Sequence, residues 1–246
     1  MLWAGPLLCP QSPVFCTQTR FFKPGMLTKT QNNVVSYSGA AAVFMLALAC
    51  FGRSPISVAV DFGADEPHAA GSGLACAMWA FHFARRTLES AFLEKHSQLT
   101  VPLADSLCEF AYYWLFAAWI ASVFASTSPP SLPSPVSPSF ALCGWAMAEF
   151  TNFYAHRVLS RNPSKDGKRV APSAPPFWLV CCPHYLAEIL SWLCFSMCCP
   201  CVPSVLFALA GGGIMTGYAL ERHRKYIADD PAFARSARKA IVPFIL

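Results

Sequence analysis

Apolar residues along this chain fall into six long runs, separated by short polar or proline-rich stretches. Residues 34–52 (VVSYSGAAAVFMLALACFG) carry no charge and, as a helix, are long enough to cross a hydrocarbon core of about 30 Å. Residues 69–90 begin apolar (AAGSGLACAMWAF) and end with His82, Arg85, Arg86 and Glu89, of which His82, Arg86 and Glu89 share a helical face. Residues 107–126 carry Tyr112, Tyr113, Trp114 and Trp119, aromatic side chains suited to a membrane–water interface. After the uncharged, extended linker TSPPSLPSPVSP, residues 139–160 form a fourth run with Glu149, Asn152 and His156 at i, i+3 and i+7. The fifth run, 177–199, and the sixth, 202–220, follow a basic, proline-containing loop, and Gly211, Gly212 and Gly213 in the sixth allow close helix approach. The pattern predicts an all-α fold, a polytopic membrane helix bundle of about six transmembrane helices.

Composition strengthens that reading. Of 246 residues, 55% are hydrophobic and only 13% charged, where a soluble domain would have roughly 25% charged. Mean hydropathy is +0.41. Charge placement then orients the bundle. Alternating the six spans puts every Lys and Arg of the 18 on one side except Arg53, and the positive-inside rule makes that side cytosolic, with both termini. Residues 1–33 start apolar (MLWAGPLL) and turn basic afterwards, the reverse of a signal peptide, and read as a disordered or interfacial extension ahead of a membrane domain over 34–246. No internal repeat or paired half-helices suggest a transporter. Nothing calls for a nucleic-acid partner; the bilayer itself is the expected surroundings.

Polar positions inside the apolar runs carry the candidate chemistry. The stretch CCPHYLAEILSW (181–192) holds His184, Tyr185 and Glu188, with Tyr185, Glu188 and Trp192 on one helical face. An ionisable group at membrane depth costs roughly 2.5–3.5 kcal/mol on insertion scales, so such groups usually face a bundle interior and mark function. His82, Arg86 and Glu89 of the second span, Asn152 and His156 of the fourth, and His184, Tyr185 and Glu188 of the fifth all lie near the cytosolic ends. This predicts one site opening to the cytosol; the plainer alternative is a set of interhelical hydrogen bonds and local ion pairs. Most of the twelve cysteines sit in apolar runs as small apolar side chains, and Cys198, Cys199 and Cys201 lack a second ligand pair, so no metal is expected. Neither G-x-G-x-x-G nor a P-loop is present. A phosphorylated ligand would have to be met by basic side chains such as Arg161, Lys165, Lys168, Arg169, Arg222 and Arg224, which could equally serve anionic lipid headgroups.

Several segments together resemble the steroid 5α-reductase superfamily and, within it, the trans-2-enoyl-CoA reductase branch. They are HFARRTLESAFLEKHS, the VPL of 101–103, YYWLFAAW, NFYAH, CPHYLAEILSW and the tail HRKYIADDPAFARSARKAIVPFIL. The resemblance covers about 34–246, with 107–246 similar to the family's C-terminal region. It implies a multi-pass protein of the endoplasmic reticulum membrane that uses NADPH to reduce the C2–C3 double bond of a long-chain trans-2-enoyl-CoA. That reaction is the last step of very-long-chain fatty acid elongation, and other elongase components are the implied partners. By motif position, Glu89 and Tyr185 match the family's essential pair. Cofactor-binding positions map to Asn152, His156, Arg161, Lys168, Arg169, His184 (where Asn is frequent), Glu188, His223, Arg224 and Tyr226, and His82 and Arg86 fall to the substrate. Phe83 stands where steroid reductases carry a tyrosine that helps hold the steroid carbonyl. Two alternatives stay open: a polyprenol or steroid reductase of the same superfamily, and a non-catalytic scaffold of a membrane elongase complex.

Overall fold

The computed structural model describes residues 26–51, 67–95, 100–125, 136–162 and 170–246, with the backbone alone over 67–72. A short strand β1 (Met26–Thr28) leads into α1 (Lys29–Cys50); α2 (Pro67–Leu88) continues into a π-helical turn, Glu89–Leu93. Strand β2 (Thr100–Pro102) precedes α3 (Leu103–Ala125), followed by α4 (Pro138–Arg161), α5 (Pro183–Cys198), α6 (Val202–Asp229) and the short α7 (Pro231–Arg235). The result is an all-α membrane helix bundle with one small addition that the hydropathy pattern did not predict. The two strands pair antiparallel, Leu27 opposite Val101, and tie the entries of α1 and α3 together.

Helix starts follow local chemistry. Thr28 and Gln31 form a reciprocal capping box: the Thr28 hydroxyl accepts the Gln31 N–H at 3.1 Å, and the Gln31 side-chain oxygen accepts the Thr28 N–H at 3.1 Å. α1 therefore begins at Lys29 rather than at 34, and its first turns add Asn32, Asn33 and Ser36, all buried, to the bundle. Ser137 caps α4 through the Phe140 N–H at 3.3 Å, with Pro138 in the first turn. α5 begins at Pro183, not at 177, because proline has no N–H to extend the helix backwards. The preceding segment instead runs beside the chain's tail, where Cys181 and Cys182 donate to the carbonyls of Lys239 and Ala240 at 2.8 and 3.0 Å. α6 outruns the expected 202–220 and reaches Asp229 with a charged final stretch.

Three helices, Lys29–Cys50, Leu103–Ala125 and Val202–Asp229, are long and apolar enough to cross a membrane by themselves. They are α1, α3 and α6. The other three long helices carry the charged faces or, in α5, span only 16 residues. On the charged helices His82, Arg86, Glu149 and His156 lie on buried faces, while Phe140, Met147 and Phe150 of α4 face outward, the arrangement expected where ionisable groups must avoid lipid. α4 packs along α5 and α1 along α3 in the most extensive helix pairings. At the centre lies Trp79, fully buried, with the rings of Phe83, Phe44, Trp192, Phe207 and Phe195 at 4.7, 5.1, 5.4, 5.5 and 5.7 Å. Its indole N–H donates to the Ala40 carbonyl at 3.2 Å, which leaves no polar atom of that ring unpaired.

The α1–α3 contact depends on a missing side chain. A Cβ on Gly39 would stand 2.3 Å from Nε1 of Trp114, whose N–H is already bonded to the Ser36 carbonyl at 3.2 Å. An indole held at its nitrogen cannot swing aside. Gly39→Val is therefore expected to destabilise the bundle by about 1–3 kcal/mol. Gly217→Ala, in open space, should stay within about 0.5 kcal/mol. Thermal unfolding in detergent checks both, and equal melting points would contradict the packing argument.

Candidate functional site

At the end of the bundle where α1, α3 and α5 begin and α2, α4 and α6 finish, buried polar side chains meet. α2 contributes most. Arg85 and Arg86 lie one turn before Glu89, and the π-helical turn then widens the helix, as the Glu94 N–H reaching the Glu89 carbonyl at 2.8 Å shows. In an undistorted α-helix Glu94 would sit about 80° around from Arg86. The wider turn instead brings its Oε1 to 2.7 Å from Arg86 Nη1.

Arg86 is the hub. Its Nη1 lies 2.6 Å from Glu89 Oε2, 2.7 Å from Glu94 Oε1 and 2.7 Å from His156 Nδ1, while Nη2 donates to the Tyr37 hydroxyl at 3.3 Å. Only 7% of Arg86 is exposed. Glu89, Glu94 and His156 have ligand atoms close enough together to hold a metal ion, but the Arg86 guanidinium fills the point where a cation would sit. Glu89 has both oxygens engaged: Oε1 takes Arg85 Nη1, and Oε2 faces Arg86 Nη1 and, at 2.7 Å, His156 Nδ1. Just past the helix, burial works against the charge on Glu94. Arg86 and His156 outweigh it, with Ser90 donating to Oε2 at 2.9 Å, and hold the carboxyl down at about 2.

A second chain of contacts runs through His82, 1% exposed. Its Nδ1 lies 2.8 Å from Glu149 Oε1 on α4, and its Nε2 lies 3.1 Å from Glu188 Oε1 on α5. Both ring nitrogens thus face carboxylate oxygens, and each contact needs a proton, so the trio holds one proton more than a neutral imidazole between two carboxylates would. The ring packs against Trp192, centroids 4.4 Å apart and planes tilted by 59°. Glu149 also accepts from Arg85 Nε at 2.9 Å.

Beside the network, Asn152 on α4 and His184 on α5 each carry a buried atom without a partner. Asn152 donates Nδ2 to the His184 carbonyl at 2.8 Å, yet its Oδ1 has no hydrogen bond, nor does His184 Nδ1. Buried polar groups are nearly always satisfied, so two such atoms on neighbouring residues fit a ligand that offers donor and acceptor together. Tyr185 follows His184, their rings 4.2 Å apart. It is half-buried, and among the described residues its hydroxyl makes no hydrogen bond.

The sequence-derived residues separate into groups. Glu89, Arg86, His156, His82 and Glu188 join one ion-pair network, and Asn152, His184 and Tyr185 adjoin it. Glu89 and Tyr185 share no hydrogen bond; the rings of His156 and His184, 5.7 Å apart, lie between the two halves of the site. His223 instead ties the tail down, its Nε2 2.9 Å from the Arg238 carbonyl, and Tyr226 is buried in a small C-terminal core. Arg161 and Arg224 are exposed on the surface. Lys168 and Arg169 lie outside the described residues. The structure adds Tyr37, Arg85, Glu94 and Glu149 to the site and Arg222 beside it. Glu149 was visible as the first member of the Glu149–Asn152–His156 face. Glu94 was not, since only the π-helical turn aligns it.

A family model for 3-oxo-5-alpha-steroid 4-dehydrogenase matches residues 99–246. A probable very-long-chain enoyl-CoA reductase of Caenorhabditis elegans is 34% identical over 178 residues, which cover 68% of this chain and 57% of the relative. A very-long-chain enoyl-CoA reductase of Dictyostelium discoideum is 29% identical over 187 residues, 75% of this chain and 62% of the relative. The chain thus spans less than two-thirds of the length of these relatives.

Two outcomes follow from the network. Arg86→Gln leaves Glu89 and Glu94 buried without their shared cation and is expected to cost about 3–5 kcal/mol, read as a lower melting point in detergent. The Glu94 carboxyl is depressed from an ordinary 4.5 to about 2, so its contribution to stability is complete above about pH 4.5 and fades as pH falls towards 2. Wild type should therefore outlast Glu94→Gln at neutral pH, with the gap closing on acidification; a gap that grows in acid would contradict the ion pair.

Proposed function

The chain belongs to the steroid 5α-reductase family, and from that premise we propose that it is an NADPH-dependent reductase of long-chain trans-2-enoyl-CoA. In this reading it carries out the last step of fatty acid elongation, as a multi-pass protein of the endoplasmic reticulum membrane alongside other elongase components. The proposed reductase domain is 34–246, with six membrane crossings and both termini cytosolic.

One observation carries the reading: a tyrosine hydroxyl with no hydrogen bond among the described residues stands next to the buried, unsatisfied Asn152 Oδ1 and His184 Nδ1, at the edge of a charged network. Asn152 Oδ1 and His184 Nδ1 suit a planar carboxamide, which presents both N–H and C=O, and so would hold the nicotinamide of NADPH. When bound, that cofactor supplies the hydride for C3. The Tyr185 hydroxyl would donate to the thioester carbonyl oxygen, where negative charge builds as C3 is reduced. A donor already aimed at that oxygen needs no reorganisation during the reaction. Glu89, with both oxygens committed to Arg85, Arg86 and His156, would act on the reaction through the field of a fixed carboxylate. The exposed Arg161 and Arg224, with Lys168 and Arg169, supply positive charge for the cofactor phosphates and the CoA head.

Phe83 favours the acyl-CoA reading over a steroid one. It is fully buried, 4.7 Å from Trp79, and offers no hydroxyl at a position where a steroid carbonyl would want one.

NADPH oxidation by the purified protein with a long-chain trans-2-enoyl-CoA tests this directly. Tyr185→Phe should lower kcat by about 10²–10³-fold while NADPH affinity, measured by binding, stays within about twofold. Turnover of a polyprenol-type or steroid enone instead of the acyl-CoA would overturn the substrate assignment. Equal loss of binding and turnover would overturn the role of Tyr185.

A further inference from the structure

Glu149 is 3% exposed and holds its carboxylate where two chains of contact in the site converge; the other link between them is the longer Arg86 Nε–Glu188 Oε2 pair at 4.0 Å. Through Arg85, whose Nε it binds at 2.9 Å, it reaches Glu89, because the Nη1 of the same guanidinium grips Glu89 Oε1. Through His82, whose Nδ1 it binds at 2.8 Å, it reaches Glu188, 3.1 Å from Nε2 of the same ring. Glu188 lies on α5 three residues after Tyr185, the spacing of one helical face. Arg85 and His82 are on α2, Glu149 on α4 and Glu188 on α5. α4 packs extensively along α5, whereas α2 packs only lightly against either helix, so the Arg85, His82 and Glu149 side chains tie α2 to that pair.

We propose that Glu149 is a positioning residue that sets two groups at once, the Glu89 carboxylate through Arg85 and the α5 face carrying Tyr185 and Glu188 through His82. Planar side chains make both links stiff. A guanidinium bonded at Nε and Nη1 cannot rotate without releasing one partner, and an imidazole bonded at both nitrogens cannot flip. The role calls for a carboxylate: one oxygen faces the imidazole and the other faces a guanidinium, so both must accept. An amide at this position offers one acceptor oxygen and turns N–H donors towards the other partner. Arg85 Nη2 is buried without a partner, so this guanidinium is held by the Glu149 and Glu89 contacts alone.

This inference rests on the reductase reading, and the experiment separates the two. Glu149→Gln and Glu149→Asp in the full chain in nanodiscs are compared with wild type by steady-state kinetics, by NADPH binding and by ¹⁵N NMR of the histidine rings. The His82 signal is assigned by its loss in His82→Asn. Glu149→Gln is expected to lower kcat by roughly 10–100-fold, since small displacements of reacting groups carry costs of that size. KM for the enoyl-CoA and Kd for NADPH should stay within about threefold, and the His82 signal should shift. Glu149→Asp, which keeps the charge on a shorter arm, should recover part of kcat. A His82 signal untouched by Glu149→Gln, no gain from Asp over Gln, or matching losses in kcat and NADPH binding would each overturn the proposal. If wild type itself fails to reduce the enoyl-CoA, the functional reading falls and the His82 signal alone decides whether Glu149 positions the network.

Discussion

A guanidinium buried at the polar end of a membrane bundle governs the rest of this structure. Arg86 gathers two carboxylates and an imidazole around a single nitrogen and reaches a tyrosine with another. Burying such a charge alone would cost many kcal/mol, and the cost is offset only when its donors are met. Much of the local architecture serves that end. The π-helical turn brings Glu94 into line, α4 presents His156, and α1 enters early enough to offer Tyr37. Arg85 and His82 extend the same logic outward to Glu149 and Glu188. Four carboxylates face two guanidiniums, and the shared proton at His82 reduces the imbalance.

Such a network can exist at membrane depth only inside an apolar sleeve. α1, α3 and α6 supply much of it, each long and apolar enough to span alone, and the outward apolar face of α4 (Phe140, Met147, Phe150) adds to it, while the charges sit on buried faces of α2, α4 and α5. The aromatic cluster around Trp79 forms the floor. Trp192 belongs to both layers, packing on Trp79 at 5.4 Å and on the His82 ring at 4.4 Å. Dense aromatic packing excludes water and leaves the network above it in a low dielectric, where each ion pair is stronger and each unpaired atom more costly.

The helices were legible because hydropathy runs and capping residues are local signals. Pro183, Ser137 and Thr28 mark their starts in the chain, even though α1 and α5 begin several residues away from the ends of the apolar runs. Site residues at helical spacing were legible for the same reason: Asn152 with His156, and Tyr185 with Glu188. What escaped was anything set by geometry between elements. Glu94 needs a π-helical turn that no residue type announces. Tyr37 and Asn33 were absorbed into an apolar run and an unstructured extension, because their value depends on what α2 places opposite them. The tail motif of His223 and Tyr226 looked like part of the cofactor site, but a histidine that bonds a backbone carbonyl and a tyrosine buried with Phe233 and Ile241 also hold a C-terminal segment in place.

Glu89 and Tyr185 illustrate how the proposed chemistry divides between them. The Glu89 carboxylate is held by Arg85, Arg86 and His156, and Tyr185 is not among its partners. Its effect on the reaction is therefore a fixed field, set by the network and altered by anything that moves the network. Tyr185 is the opposite case: half-buried, packed on His184 at 4.2 Å, with a hydroxyl that no described side chain uses. A donor kept free beside the unpaired Asn152 Oδ1 and His184 Nδ1 is poised for a ligand rather than for the fold. The rigidity of the charged network and the freedom of that one hydroxyl are then parts of a single arrangement, because a donor can be aimed only if the frame around it does not yield.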